Sequence, residues 1–266
     1  MTRGLGRLER ALLAWAQLRG RSTLRAGQLR APLRLTAVQE RTLLSRMAGA
    51  GLIVRVWRGV YLVPPRLTLG ARWTPGEALA LSTLMASRGA RYQVSGPNAF
   101  NRYGLDGQLP NRLYVYNDRL SGERAVGAVA MTLIRVAPTR LGDTEEATSA
   151  DGATIAYSSR ARTLVDAVYD WSRFNGLPRA FGWIRAELAA QRVEAAELVR
   201  ATRRYGNTGT IRRIGALLER EGVGEALLGR LRRAAKPTSA LIAWDPTRPR
   251  RGTVDRRWGI VWNERA

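Results

Sequence analysis

Thr36-Ala37-Val38-Gln39-Glu40-Arg41-Thr42-Leu43-Leu44-Ser45-Arg46-Met47-Ala48-Gly49, with Leu52-Ile53-Val54-Arg55-Val56-Trp57-Arg58-Gly59-Val60-Tyr61-Leu62-Val63 just behind it, is the stretch on which the fold turns. Thr36 and Gln39 stand three apart, the spacing of a capping box, so a helix should begin there. Gly49 and Gly51 supply its stop. On a helical wheel Leu43, Met47, Leu44 and Ala37 share one arc. Gln39, Arg46, Thr42, Ser45 and Arg41 share the opposite one, with Val38 among them. The next residues are β-branched and aromatic, Arg58-Gly59 offers a turn, and Pro64-Pro65 closes the unit, so a hairpin is expected.

Upstream, Leu5, Leu8, Leu12, Leu13 and Trp15 recur with Ala11 and Ala16 at helical spacing over 5–18, and Gly20 ends the pattern. Ser22-Thr23 open a short segment, Leu24 to Leu29, that Pro32 keeps from extending. Helix, short helix, helix, hairpin is the order of a winged helix-turn-helix over 1–66. A polar face is common to surface helices. Here the third helix carries it and a basic hairpin follows at once. That order favours a recognition helix reading base edges in the major groove. Arginine suits guanine and glutamine suits adenine, whereas Thr42 and Ser45 can bond bases or phosphates. The expected DNA-binding residues are Arg34, Thr36, Gln39, Arg41, Thr42, Ser45 and Arg46, with Arg55 and Arg58 on the wing. Arg25 and Arg30 are further backbone candidates, and Trp57 and Tyr61 are assigned to the core.

Beyond residue 66 the pattern is mixed. A helix opened by Thr74-Pro75-Gly76-Glu77 is expected to run to about Ser87, followed by a strand at Tyr92–Val94 and a helix capped by Ser95 that ends near Tyr103-Gly104. Strands follow at 113–116, 131–136 and 154–157. Helices dominate the stretch 159–235, at 159–172, 178–190, 194–204, 208–221 and 224–235. The basic tail 236–266 returns to strand at 240–244 and 258–262, around the loop Pro246–Gly252. The fold class read from this is α+β: an N-terminal winged helix and a larger α/β domain at 67–266 rich in helices. Arg212, Arg213, Arg220, Arg232, Arg233, Arg250 and Arg251 are candidates for a second basic surface.

Composition narrows the function. The 266 residues contain no cysteine and no histidine. Disulfides, Cys/His zinc sites, a histidine base and a cysteine nucleophile are therefore excluded. Carboxylates such as Glu145-Glu146 and Asp151 are what is left for Mg²⁺, and neither a P-loop nor a nucleotidyltransferase signature accompanies them. The chain is read as a non-enzyme with no cofactor and no metal. Forty-four basic residues against 21 acidic ones give a net charge of +23. Arginine-for-lysine bias does not account for that excess, because the swap leaves charge unchanged, so a polyanion is the expected partner. Apolar runs are too short to cross a bilayer and no leader core follows Met1, which makes the cytoplasm the expected compartment.

Three further stretches carry a family resemblance. They are Val94-Ser95-Gly96-Pro97-Asn98-Ala99-Phe100 with Tyr103-Gly104-Leu105 and Gln108-Leu109-Pro110; Ser159-Arg160-Ala161-Arg162-Thr163-Leu164-Val165-Asp166; and Tyr205-Gly206-Asn207 followed by Arg212-Arg213-Ile214-Gly215-Ala216-Leu217-Leu218-Glu219. Their order, behind a unit ending Arg58-Gly59-Val60-Tyr61, resembles the AbiEi antitoxins of type IV toxin–antitoxin (abortive phage infection) systems, over about residues 5–220. The tail after about residue 235 matches no pattern of that family. The resemblance implies a transcriptional autorepressor that binds operator inverted repeats in double-stranded DNA. It also implies a C-terminal domain that counters an AbiEii-like nucleotidyltransferase toxin without needing a stable complex with it. Inverted repeats call for two copies. No dimerisation helix stands out, so monomers that cooperate on DNA are expected. The alternative is a non-specific or architectural protein binding DNA or RNA. Read from the residues alone, the three stretches are structural: Ser95 as a helix cap, Thr163 and Asp166 near a helix start, and Gly206-Asn207 as a left-handed helix end.

Overall fold

The computed structural model describes residues 5–66, 72–149, 152–236 and 238–264, and the fold is mixed α/β. The first elements are α1 (Arg7–Leu18), β1 (Thr23–Arg25), α2 (Ala37–Gly49), β2 (Val54–Trp57) and β3 (Val60–Leu62). Strands β1, β3 and β2 make a three-stranded sheet with β3 in the middle, antiparallel to both neighbours. Over it lies a core of Leu12, Leu13 and Ala16 from α1, Leu43, Leu44 and Met47 from α2, and Leu24, Leu29, Ile53, Tyr61 and Val63. Each fully buried leucine there is worth roughly 1.5–3 kcal/mol of transfer free energy.

The short helix read at Leu24–Leu29 is not a helix. Thr23–Arg25 pairs with Val60–Leu62 as a strand, and residues 26–34 are turns. The cause lies elsewhere in the chain. The buried carboxylate of Glu40, on α2, accepts the backbone N–H of Gly27 (2.8 and 2.9 Å to its two oxygens) and of Leu29 (3.0 Å), and the Nε–H of Arg30 (3.0 Å). A remote acid thus satisfies amides that a local cap would otherwise serve.

The chain continues through α3 (Glu77–Ser87), β4 (Tyr92–Val94), α4 (Pro97–Arg102), β5 (Leu113–Asn117), β6 (Gly122–Val126), β7 (Val129–Arg135), a 3-10 turn at Pro138–Arg140, β8 (Thr144–Thr148) and β9 (Thr154–Ser158). A six-stranded sheet runs in the order β6–β7–β5–β4–β9–β8. Strand β7 pairs parallel to β5, with Leu113 opposite Met131, and antiparallel to β6, with Val126 opposite Val129. Six helices follow: α5 (Arg160–Tyr169), α6 (Trp171–Phe174), α7 (Arg179–Ala189), α8 (Ala195–Tyr205), α9 (Thr208–Arg220) and α10 (Glu225–Ala234). The tail forms a small sheet of β10 (Ile242–Ala243), β12 (Ile260–Trp262) and β11 (Thr253–Asp255), with β12 in the middle. Asp151 lies outside the described residues. No helix among them is long and apolar enough to cross a membrane.

The chain clusters into two compact units. One comprises Met1–Tyr92, Asn111–Leu141 and Glu146–Ala156. The other comprises Gln93–Pro110, Gly142–Glu145 and Tyr157–Ala266.

Candidate nucleic-acid interface

In the first unit, α2 is held by one face and presents the other. Leu43, Leu44, Met47 and Glu40 are buried; Thr36, Val38, Gln39, Arg41, Thr42, Ser45 and Arg46 are exposed. Ala37, placed by the wheel among the core residues, is exposed as well, because in the first turn that arc has left the core and Glu40 occupies the buried position instead. The capping box forms in both directions: Gln39 N–H donates to Thr36 Oγ1 (3.2 Å) and Thr36 N–H donates to Gln39 Oε1 (2.8 Å). That engages the carbonyl oxygen Gln39 would need for a paired contact with adenine, leaving its amide NH₂ outward. Arg46 donates to Glu9 of α1 at 3.0 Å, which fixes its direction, and half its side chain stays exposed. Arg41 and Thr42 lie between, with Ser45 one turn on, and have no such commitment among the described residues. Arg34, at φ 51°, is exposed just ahead of the helix.

The hairpin β2–β3 turns at Arg58-Gly59, and both Arg55 and Arg58 are exposed. Arg55 Nε–H reaches Trp57 O at 3.5 Å. Tyr61 is in the core, as expected. Trp57 is half-buried outside that cluster, its ring beneath the guanidinium carbons of Arg88 at 4.7 Å and Arg124 at 4.4 Å.

In the second unit the three stretches that carry the family resemblance converge on one buried polar network. Ser95 Oγ–H donates to Asp166 Oδ2 (3.1 Å), and Arg162 Nε–H donates to Asp166 Oδ1 (2.9 Å). The Arg162 guanidinium lies 3.7 Å over the Tyr205 ring. Gln93 extends the network, donating to Ser158 Oγ (2.7 Å) and accepting Gly142 N–H (2.9 Å). Gln93, Ser95, Ser158, Arg162 and Asp166 are all fully buried, so the network holds the fold and offers no surface to a ligand. Two local readings change. Ser95 is not the cap of α4, whose N-cap is Gly96. Gly206 is extended rather than left-handed, and a side chain there would press on the Thr202 carbonyl at 2.6 Å. Asn207 caps the start of α9, accepting Thr210 N–H at 2.8 Å.

The expected second basic surface also changes composition. Arg212 and Arg213 are buried, not solvated. Arg212 donates to the carbonyls of Trp258 (2.5 Å), Ala240 (2.8 Å) and Gly259. Arg213 donates to those of Ala243 (2.8 and 3.2 Å) and Trp244 (3.2 Å). Burial pulls both guanidinium pKa values down, that of Arg213 to about 10, still charged at neutral pH. They fasten the tail and are removed from any nucleic-acid surface. Arg220 pairs with Glu264 and covers the Trp262 ring at 3.2 Å, and Arg232 pairs with Glu225. Arg233, Arg250 and Arg251 stay exposed, although Arg250 donates to Leu241 O at 2.7 Å. Sequence reasoning passed over Arg200, Arg203 and Arg204 on the outer face of α8, which packs against α10. Their i, i+3, i+4 spacing was the available signal.

No protein-family model matches the chain and no curated protein matches it. Among solved structures the fold is similar to that of the RV2827C protein from Mycobacterium tuberculosis. Identity is 14%, 97% of this chain and 92% of that chain are covered, and the TM-score is 0.63. At that identity the likeness concerns fold alone.

Proposed function

We propose that the N-terminal elements form a winged helix and that the protein is a DNA-binding transcriptional autorepressor and antitoxin of the AbiEi type. In this reading it acts at inverted repeats upstream of its own operon, as monomers that cooperate on DNA. One observation carries the reading: α2 is anchored by an apolar face and a buried glutamate, while its opposite face offers Arg41, Thr42, Ser45 and Arg46, with the arginine-bearing hairpin after it. Helix α2 is then the recognition helix, with Arg41 suited to guanine edges and Thr42 and Ser45 to bases or phosphates. Gln39 and Thr36 serve chiefly as its cap. Arg34, Arg55 and Arg58 contact phosphates. The antitoxin role, opposite an AbiEii-like nucleotidyltransferase toxin, rests on the motif resemblance, whose three stretches meet in the Ser95–Asp166–Arg162–Tyr205 network.

The test is binding of the full chain to the DNA upstream of its own gene and to scrambled DNA of equal length, at two salt concentrations. A preference for the upstream DNA that persists at higher salt supports a specific repressor. Equal binding that collapses with salt replaces it with the non-specific, architectural alternative.

A further inference from the structure

In the first unit, two further cations reach the hairpin from elements outside the proposed winged helix. Trp57 ends β2 between Arg55 and Arg58, and helix α3 and strand β6 both pack on β2. From the C-cap of α3 comes Arg88, and from β6 comes Arg124, their guanidinium carbons 4.7 and 4.4 Å from the centre of the same indole. All four arginines are exposed, and none has an ion-pair partner among the described residues. Elsewhere the fold places carboxylates against its arginines: Glu187 against Arg160 and Arg192, Asp106 against Arg179, and Glu123, next to Arg124 in sequence, against Arg112. Around Trp57 it does not. Like charges gathered without an acid repel one another, and an approaching polyanion relieves that repulsion.

We propose that Arg88 and Arg124 belong to the duplex-binding surface, continuing the phosphate track of Arg55 and Arg58 past the hairpin, with the Trp57 ring as the stage that holds their heads in place. A guanidinium above a ring engages the π-face through its charge and keeps its in-plane N–H groups for phosphate oxygens. Stacking also restricts two long side chains before DNA arrives, so less freedom is lost on binding. The contacts are to backbone and carry no base preference. The proposal rests on the duplex-DNA reading above and adds residues that reading did not contain.

The test uses the full chain with the upstream and scrambled duplexes, titrated across a salt series. Replacing both residues (R88A with R124A) should weaken binding to the two duplexes alike. It should lower the slope of log K against log salt by about 1.8, roughly 0.9 for each lost phosphate contact, and leave the preference between duplexes unchanged. The charge-keeping pair R88K with R124K should retain most of the slope, which separates lost contacts from a damaged fold. Trp57→Leu keeps both charges and removes the stage, so affinity should fall with the slope intact. A double alanine variant that keeps the parent slope overturns the proposal, and so does a parent chain that binds neither duplex at low salt. Binding that loses slope in R88A/R124A yet shows no sequence preference upholds this surface and overturns the specific-repressor reading instead.

Discussion

Glu40→Gln probes the joint on which α2 depends. Glu40 is 1% exposed, and its carboxylate accepts four contacts from three donors: the Gly27 N–H shared between both oxygens, the Leu29 N–H and the Arg30 Nε–H. Glutamine keeps Oε1, and with it one bond to Gly27 and the bond to Leu29. Its NH₂ replaces Oε2 and faces two donors, so the second Gly27 contact and the Arg30 contact are lost. A hydrogen bond to a charged group contributes about 1.5–3 kcal/mol when buried. The Arg30 pair, with the arginine half exposed, contributes under about 1 kcal/mol. The expected loss is therefore about 2–3 kcal/mol, concentrated in the 27–30 turn. Amide hydrogen exchange reads it locally: Gly27 and Leu29 should exchange about 30- to 150-fold faster, at about 1.4 kcal/mol per tenfold. Glu40→Ala leaves both amides without their acceptor and should cost about 3–5 kcal/mol. If the two amides exchange in the Gln variant at the parent rate while the chain stays folded, the carboxylate does not hold the turn and the account of the joint is wrong.

Other expectations follow from the same geometry. Gln39→Ala should lower stability by about 1 kcal/mol through the capping box and change base preference little, whereas Arg41→Ala should relax preference at one base position; thermal melts and a binding-site selection would separate them, and the opposite pattern would return Gln39 to the reading face. Gly215→Ala should destabilise the tail by about 1–3 kcal/mol, since a Cβ there overlaps the Trp258 ring; unchanged thermal unfolding would mean the ring moves freely aside. Burial raises the Glu187 pKa, but hydrogen bonds from Arg192 and Arg160 outweigh it and hold the carboxyl below its usual range. Asp106 is held down mainly by the Gln108 N–H, with Arg179 assisting. For such acids the stabilisation is complete above the ordinary carboxylate pKa and disappears as pH falls through the folded value. Acid unfolding of E187Q should therefore show a weaker pH dependence below the usual carboxylate range, and an identical profile would sink that assignment.

The elements legible in the chain were those that announce themselves locally. The Thr36–Gln39 pair located the start of α2, the apolar spacing located α1, and α7 to α10 fell within a residue or two of their expected limits. Strands β6 and β8 went unread because Gly122-Glu123-Arg124-Ala125-Val126 and Thr144-Glu145-Glu146-Ala147-Thr148 are edge strands almost wholly exposed, with no buried alternation to detect. Strand β11 was hidden in the same way inside a basic stretch. At the candidate site the exposed arc of α2 was readable. The work of Glu40 was not, since its partners are backbone amides 11 and 13 residues away. Arg212 and Arg213 looked like a solvated face because their acceptors are carbonyls 28 to 47 residues downstream, which no local periodicity encodes.

Those two arginines set unequal rules for how this molecule can change. They grip the tail through main-chain carbonyls at Ala240, Ala243, Trp244, Trp258 and Gly259, and a carbonyl is the same whatever side chain it belongs to. Substitution at Ala240 and Ala243 can therefore proceed without undoing the latch. Deleting the strands is another matter, because it would take away all five carbonyl acceptors at once and uncover the face of α9 on which Trp258 sits at Gly215. An engineer shortening the chain at Lys236 would have to redesign that uncovered face in the same step, and a lineage losing the tail would meet the same coupled requirement.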